Sequence, residues 1–155
     1  MKILVTGNNG YIGTVLVDEL IKKNYEVIGY DIDYFYDCNL TNKDTKLTRY
    51  IKKDIRNITK DDLDGIDIVI HLAGLANDPL GELDPQLTDQ INYQSTIKIA
   101  ELSKIKKVKR FIYASSQSMY GISDVHQELD EDNSKKNPVT AYAKTKWEAE
   151  KKIKN

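Results

Sequence analysis

Three glycines spaced three residues apart, Gly7, Gly10 and Gly13, interrupt an apolar run near the start of the chain and leave few folds open to it. Lys2 to Thr6 reads as a buried strand, and Ile12, Val15, Leu16 and Leu20 then recur at helical spacing. A strand that turns at once into a helix leaves free backbone N–H groups and a positive dipole end, which together suit a pyrophosphate. Gly7 then permits the tight turn, Gly10 lets the backbone approach the phosphates where Tyr11 and Ile12 open the helix, and Gly13 lets the helix pack against the strand. The spacing Gly-x-x-Gly-x-x-Gly is one residue wider at the front than the dinucleotide fingerprint Gly-x-Gly-x-x-Gly. An ordinary glycine-rich turn is the competing reading, and the strand before and the helix after argue against it.

A chain of 155 residues suits one domain with a real core. Lysine and arginine number 23 against 24 acids, a net charge of -1 that argues against a nucleic-acid groove or an anionic membrane surface as partner. The one cysteine, Cys38, cannot form an internal disulfide, and no metal-ligand cluster surrounds it in the sequence, so a reducing compartment and no metal are expected. No apolar run approaches the roughly 20 residues that span a bilayer. The expectation is a soluble cytoplasmic protein.

A helix over about Tyr11 to Lys23, ended by Asn24, leads to a second strand, Glu26 to Tyr30, that finishes at Asp31. Asp31 lies eighteen residues after Gly13, close to the offset of about 20 at which a carboxylate meets the adenosine ribose hydroxyls in this kind of site. It would repel a 2′-phosphate, which favours NAD over NADP; a turn or capping aspartate is the alternative. Tyr34, Phe35 and Tyr36 fit neither period and read as a loop over the second strand's end, with a short helix near Thr41 to Lys46. A third strand, Thr48 to Lys53, ends at Asp54-Ile55, an acid and an aliphatic that can hold an adenine by its amino group and its face, or else form a surface turn.

Thr59, with Asp61 and Asp62 behind it, marks a single helical turn, and Ile66 to Leu72 is a fourth, nearly all-apolar strand. It opens into Leu72-Ala73-Gly74, small enough at the strand's carboxyl end for a cofactor to lie against the backbone. His71 within that strand reads as structural. The stretch Asn77-Asp78-Pro79-Leu80-Gly81, with Asp84-Pro85 behind it, reads as an irregular loop, and Gln86 to Lys107 as one long helix. The basic residues between Lys104 and Arg110 read as a solvated helix end. A fifth strand, Phe111 to Ala114, delivers Ser115-Ser116-Gln117-Ser118-Met119-Tyr120-Gly121, a polar excursion passes Asp124, His126, Glu128 and Asn133, and Thr140 to Asn155 closes the chain as a helix.

That last helix carries Tyr142 and Lys146 four apart, on one face. A phenol is a poor base at neutral pH, and an ammonium one turn away favours its ionised form. With Ser116 hydrogen-bonding the same substrate oxygen, such a set can take a proton from a carbinol while its hydride passes to a nicotinamide.

These motifs, in this order, resemble the extended short-chain dehydrogenase/reductases and, within them, the NAD-dependent epimerase/dehydratase family, whose members mostly act on nucleotide sugars. The resemblance implies an α/β fold: a Rossmann-like doubly wound parallel sheet of about five strands binding NAD. It implies further that Tyr142 is the catalytic acid/base, that Lys146 holds the nicotinamide ribose and eases loss of the phenolic proton, and that Ser116 orients the reacting hydroxyl. In the family's 4,6-dehydratases an Asp-Glu pair follows the Ser/Thr; here Gln117 and Ser118 stand there, which favours an epimerase or simple dehydrogenase.

Family members normally continue past the Tyr-x-x-x-Lys helix into the last sheet strands and a substrate domain, whereas this sequence stops at Asn155. The expectation is an NAD-binding domain over residues 1–155, its fifth strand left with an uncovered edge, that needs a missing half to hold a nucleotide-sugar substrate. Another chain, or a homodimer through the Gln86 to Lys107 and Thr140 to Asn155 helices as is common in the family, is the implied partner. A non-catalytic dinucleotide-binding or assembly module, and part of a dehydratase or reductase, are the alternatives.

Overall fold

The computed structural model describes residues 1–38, 46–122 and 128–154. Five parallel strands form one sheet in the order β3-β2-β1-β4-β5. They are β1 (Lys2–Thr6), β2 (Glu26–Asp31), β3 (Arg49–Lys52), β4 (Ile68–His71) and β5 (Arg110–Tyr113). β1 lies at the centre, paired along both edges, and Ile3 to Thr6 are buried in succession, so both its faces are covered as well. In register, Thr6 lies between Tyr30 and His71, and Asp31 lies beside Lys52. The strand order reverses at β1, and the crevice outside such a reversal is where open α/β sheets bind ligands. Among the described residues no strand pairs with the outer edge of β5.

The chain divides into two compact units. The first, Met1–Gly74 with Lys98–Ala114, holds the whole sheet. Its helix α1 (Tyr11–Lys22) ends where expected, with Asn24 in the left-handed region at φ 61°. The α1 residues Leu16, Val17, Leu20 and Ile21 pack with Ile3, Val5, Val27 and Ile70, and full burial of each such aliphatic contributes about 1.5–3 kcal/mol. β3 and β4 are shorter than the sequence suggested, and β5 starts and ends one residue earlier. Thr59 and Asp62 form a capping box on the turn Lys60–Leu63, as the acids there suggested, and that turn buries Leu63. His71 is buried and shares a 2.6 Å hydrogen bond with the Thr6 hydroxyl, in keeping with a structural role.

Tyr34, Phe35 and Tyr36 are exposed, and a single 3-10 turn follows over Tyr36–Cys38. The helix expected near Thr41 to Lys46 lies, except for Lys46, outside the described residues. Lys106 pairs with Asp64 and Lys109 with Asp67, so these cations of the basic run are matched by acids.

The second unit, Leu75–Ile97 with Ser115–Asn155, contains α2 (Asp78–Leu83), α3 (Pro85–Thr88), a π-turn (Asp89–Gln94), the start of α4 (Ser95–Ile105) and α5 (Ala141–Lys154). Two expectations are corrected here. The stretch read as an irregular loop is helical, because Asn77 accepts from the Leu80 N–H and Asp84 from the Leu87 N–H, each at 2.9 Å. Pro79 and Pro85 stand in the first turns of these helices, where a missing N–H costs nothing. The helix expected to run unbroken from Gln86 to Lys107 is interrupted by the π-turn and stops at Ile105, with Lys107 at φ 56°. Asp124 and His126 of the polar excursion lie outside the described residues. Among the described residues no helix is long and apolar enough to cross a membrane.

Candidate functional site

In the first unit the residues after β1 fold as a tight turn. Gly7 takes φ 72°, and a Cβ on it would stand 2.8 Å from the Ala73 nitrogen, so Leu72-Ala73 and the turn are brought backbone to backbone. The Leu72 N–H also donates to the Thr6 carbonyl, and the Ala73 N–H to the Thr6 hydroxyl. A Cβ on Gly13 would lie 2.1 Å from the Gly7 oxygen and 2.7 Å from the Asn8 Cα. The helix therefore closes on the turn itself, whereas the sequence suggested contact with the strand.

Gly10 is the N-cap of α1, with no side-chain cap and no acidic residue in the helix's first turn. Its own side chain being absent, only the Gly7 oxygen lies within 4 Å of where a Cβ would be. Tyr11, 97% exposed, and Ile12 open the helix toward solvent. The N–H groups and positive dipole end of α1 are thus not neutralised by an acid of its first turn, the condition under which a diphosphate is attracted.

Asp31, at the end of β2, accepts the Asn9 N–H on one oxygen and the Asp33 N–H on the other, both at 2.9 Å. The carboxylate expected at the ribose is therefore tied to the turn that follows β1. Asp33 in turn accepts from the Asn9 amide at 2.6 Å and from the Tyr50 hydroxyl, and its second oxygen meets the Lys52 ammonium at 3.2 Å. Burial pushes its pKa up, but the hydrogen bonds from Tyr50, Asn9 and Lys52 outweigh it and hold Asp33 below the ordinary carboxylate value. Asp54 caps the turn Ile55–Asn57, and the Arg56 guanidinium beside it lowers its pKa. Ile55 next to it is buried. The Tyr30 hydroxyl donates to the Asp54 carbonyl at 3.1 Å, fastening this strand end to β2.

The second unit holds Ser116, Tyr142 and Lys146. Ser116 caps the turn Gln117–Tyr120, which packs on α5, and its hydroxyl accepts from the Ser118 N–H at 3.2 Å. Tyr142 is half-buried in the first turn of α5, and the Lys146 ammonium lies 6.0 Å from the centre of its ring. Lys146 is only 6% exposed, and burial brings its pKa down from 10.5 to about 8. A lysine on this face of a surface helix would ordinarily reach water, so its burial one turn from a tyrosine is the unit's least ordinary feature.

Several residues that support this set escaped the sequence reading. The Glu82 carboxylate accepts the Ala141 N–H at the start of α5, and the Thr140 hydroxyl donates to Asp78. Gly81 faces Tyr142: a Cβ there would lie 3.1 Å from the tyrosine Cβ. The Thr88 hydroxyl donates to the Gly81 carbonyl at 2.8 Å. α2 thus fixes the turn that carries Tyr142. Asn92, 2% exposed in the π-turn, holds both backbone groups of Leu75, accepting its N–H at 2.8 Å and donating to its carbonyl at 3.0 Å. A polar amide among the apolar positions of an expected helix was the available signal.

A sequence profile described as the NAD dependent epimerase/dehydratase family matches residues 3–155. A UDP-glucose 4-epimerase of Klebsiella pneumoniae is 31% identical over 78% of this chain and 93% of its own length. Among solved structures, a UDP-N-acetylglucosamine 4-epimerase from Methanobrevibacter ruminantium M1, in complex with UDP-N-acetylmuramic acid, superposes with a TM-score of 0.86 at 28% identity, over 99% of this chain and 49% of that one. MoeE5 in complex with UDP-glucose and NAD gives 0.84 at 28% identity, over 99% and 48%. The chain likewise spans about half the length of other curated relatives, 50% of one from Methanocaldococcus jannaschii and 46% of one from Staphylococcus aureus. With its five-stranded Rossmann-like sheet and a match reaching from residue 3 to residue 155, the chain belongs to the NAD-dependent epimerase/dehydratase family.

Proposed function

We propose that this chain is the NAD-binding portion of a nucleotide-sugar epimerase. The observation that carries the reading is Lys146, kept almost wholly from water one turn after Tyr142. A lysine so placed loses hydration, and has a use as the cation beside an acid/base phenol. The residues of the first unit fit the cofactor: the uncapped start of α1 and the turn at Gly7, Gly10 and Gly13 suit its pyrophosphate, and Asp31 its adenosine ribose. Asp54 and Ile55 would hold the adenine, and Leu72, Ala73 and Gly74 would lie against the cofactor with their backbone.

Bound NAD supplies the acceptor and later the donor of a hydride. Tyr142 takes the proton from the sugar hydroxyl and returns it, Lys146 places a cation beside the phenol and would hold the nicotinamide ribose, and Ser116 hydrogen-bonds the reacting oxygen. Gln117 and Ser118 offer no carboxylate for the loss of water, so epimerisation is preferred to dehydration. The named activities of the relatives at 28–31% identity support a nucleotide sugar as substrate. The curated relative from Methanocaldococcus jannaschii and the solved structures run to about twice the matched length, whereas the Klebsiella pneumoniae relative does not; the longer ones support a substrate half supplied from outside these 155 residues, by further sequence or by a second copy. The reading places the protein in the cytoplasm, with no nucleic acid or membrane as partner.

Titration with NADH, followed by its fluorescence, is expected to show saturable binding, and absence of binding would overturn the cofactor reading. In a coupled assay over UDP- and GDP-sugars, the purified chain alone is expected to give negligible turnover. Normal turnover by the chain alone would overturn the need for a second half, and a Tyr142→Phe variant as active as its parent would overturn the catalytic assignment.

A further inference from the structure

The end of β2 carries an arrangement that NAD binding alone does not require. Lys52 lies directly beside Asp31 in the strand register, the place from which an ammonium would cancel the Asp31 charge or grip a phosphate on the neighbouring ribose hydroxyl. Its ammonium instead rests 3.2 Å from Asp33. Asp33 stands at φ 68°, an uncommon backbone state that aspartate tolerates, and its N–H is held by Asp31. Its side chain is almost buried, whereas that of Lys52 is largely exposed. The same carboxylate also receives the Tyr50 hydroxyl and the Asn9 amide, so it is fixed from the phosphate turn and from β3 at once.

We propose that Asp33 is a specificity-determining residue for the cofactor: by holding the Lys52 ammonium it keeps the surroundings of Asp31 negative, and so excludes a 2′-phosphorylated adenosine. The inference rests on the proposal that the adenosine ribose lies at Asp31. Two carboxylates against one ammonium leave this corner a single negative charge, and removing the Asp33 charge leaves it neutral with a free cation. A 2′-phosphate carries close to two negative charges, so the change acts on it far more than on a neutral ribose hydroxyl.

The test is the ratio of NADPH to NADH affinity, measured by fluorescence titration of the full chain. Asp33→Asn, which keeps the shape and can still accept from Tyr50, is expected to raise that ratio at least about tenfold. Asp33→Ser, which frees Lys52 without introducing an amide, must shift it the same way. Lys52→Ala alone is expected to leave the ratio within about twofold of the parent, and the Asp33→Asn/Lys52→Ala double variant to return it there, since the released cation is then missing. Adenosine 2′,5′-bisphosphate against 5′-AMP, followed by calorimetry, should repeat the pattern without the nicotinamide. An unchanged ratio in both single Asp33 variants, or a gain that survives removal of Lys52, overturns the inference while leaving NAD binding intact. Failure of the parent chain to bind NADH would instead defeat the cofactor reading on which it stands.

Discussion

An ammonium held at 6% exposure works against the fold that contains it. Because burial depresses Lys146 from 10.5 to about 8, protons bind the unfolded chain more readily than the folded one between those values. Stability from this group therefore rises with pH across that window and is lowest, and level, below about pH 8, a penalty on the order of 3 kcal/mol. Lys146→Met is expected to be more stable than the parent at pH 7 by up to that amount, with the gap closing toward pH 10.5. Urea melts of the two proteins across the range check this, and a gap that does not change with pH would show that Lys146 has the same pKa folded and unfolded. The variant should also bind NADH more weakly, the usual opposition between stability and a working site. At this scale the sequence was informative where a residue type has one main use. Gly7 and Gly13 could be named from spacing as places where a side chain would collide, and the buried His71 from its place in an apolar strand. Asp33, Lys52, Glu82 and Asn92 could not, because their roles come from partners far away in the chain, as when Asn92 reaches Leu75 or Glu82 reaches Ala141.

Among elements, the segment from Asn77 to Gln94 departs most from its sequence reading. Asn, Asp and Pro punctuate loops and helix starts alike, and only the backbone distinguishes the two. Asn77 and Asp84 both act as caps here, and α2 in turn caps α5 through Glu82. Asn77→Ala and Asp84→Ala are each expected to cost about 1 kcal/mol, read by chemical denaturation. Glu82→Ala should cost a similar amount and in addition loosen the first turn of α5, seen as faster amide exchange at Ala141 to Ala143. Exchange there unchanged from the parent would show that Glu82 is not holding Tyr142's turn. A π-turn was equally hidden, since its extra residue per turn leaves no periodic mark in six residues.

For the whole molecule, a parallel sheet of five strands was legible because apolar strands alternating with helical segments admit few architectures, and the glycine turn marked the first strand's carboxyl end. The bounds of β4 were less so: the apolar run from Ile66 to Leu72 reads as one strand, whereas the paired residues are Ile68 to His71 alone. Saturating NADH is expected to raise unfolding stability by about 2.7 kcal/mol at one hundred times its dissociation constant, as for any ligand confined to the folded state. A melting temperature indifferent to NADH would contradict that. The bare start of α1 adds a local signature: a helix that omits its own closing residue at Gly10 depends on a visitor to finish it. Without the dinucleotide its opening turn should unravel sooner than the sheet beneath, and with it the protected stretch should lengthen backward toward Gly7, so that the protein completes its own secondary structure only while carrying cargo.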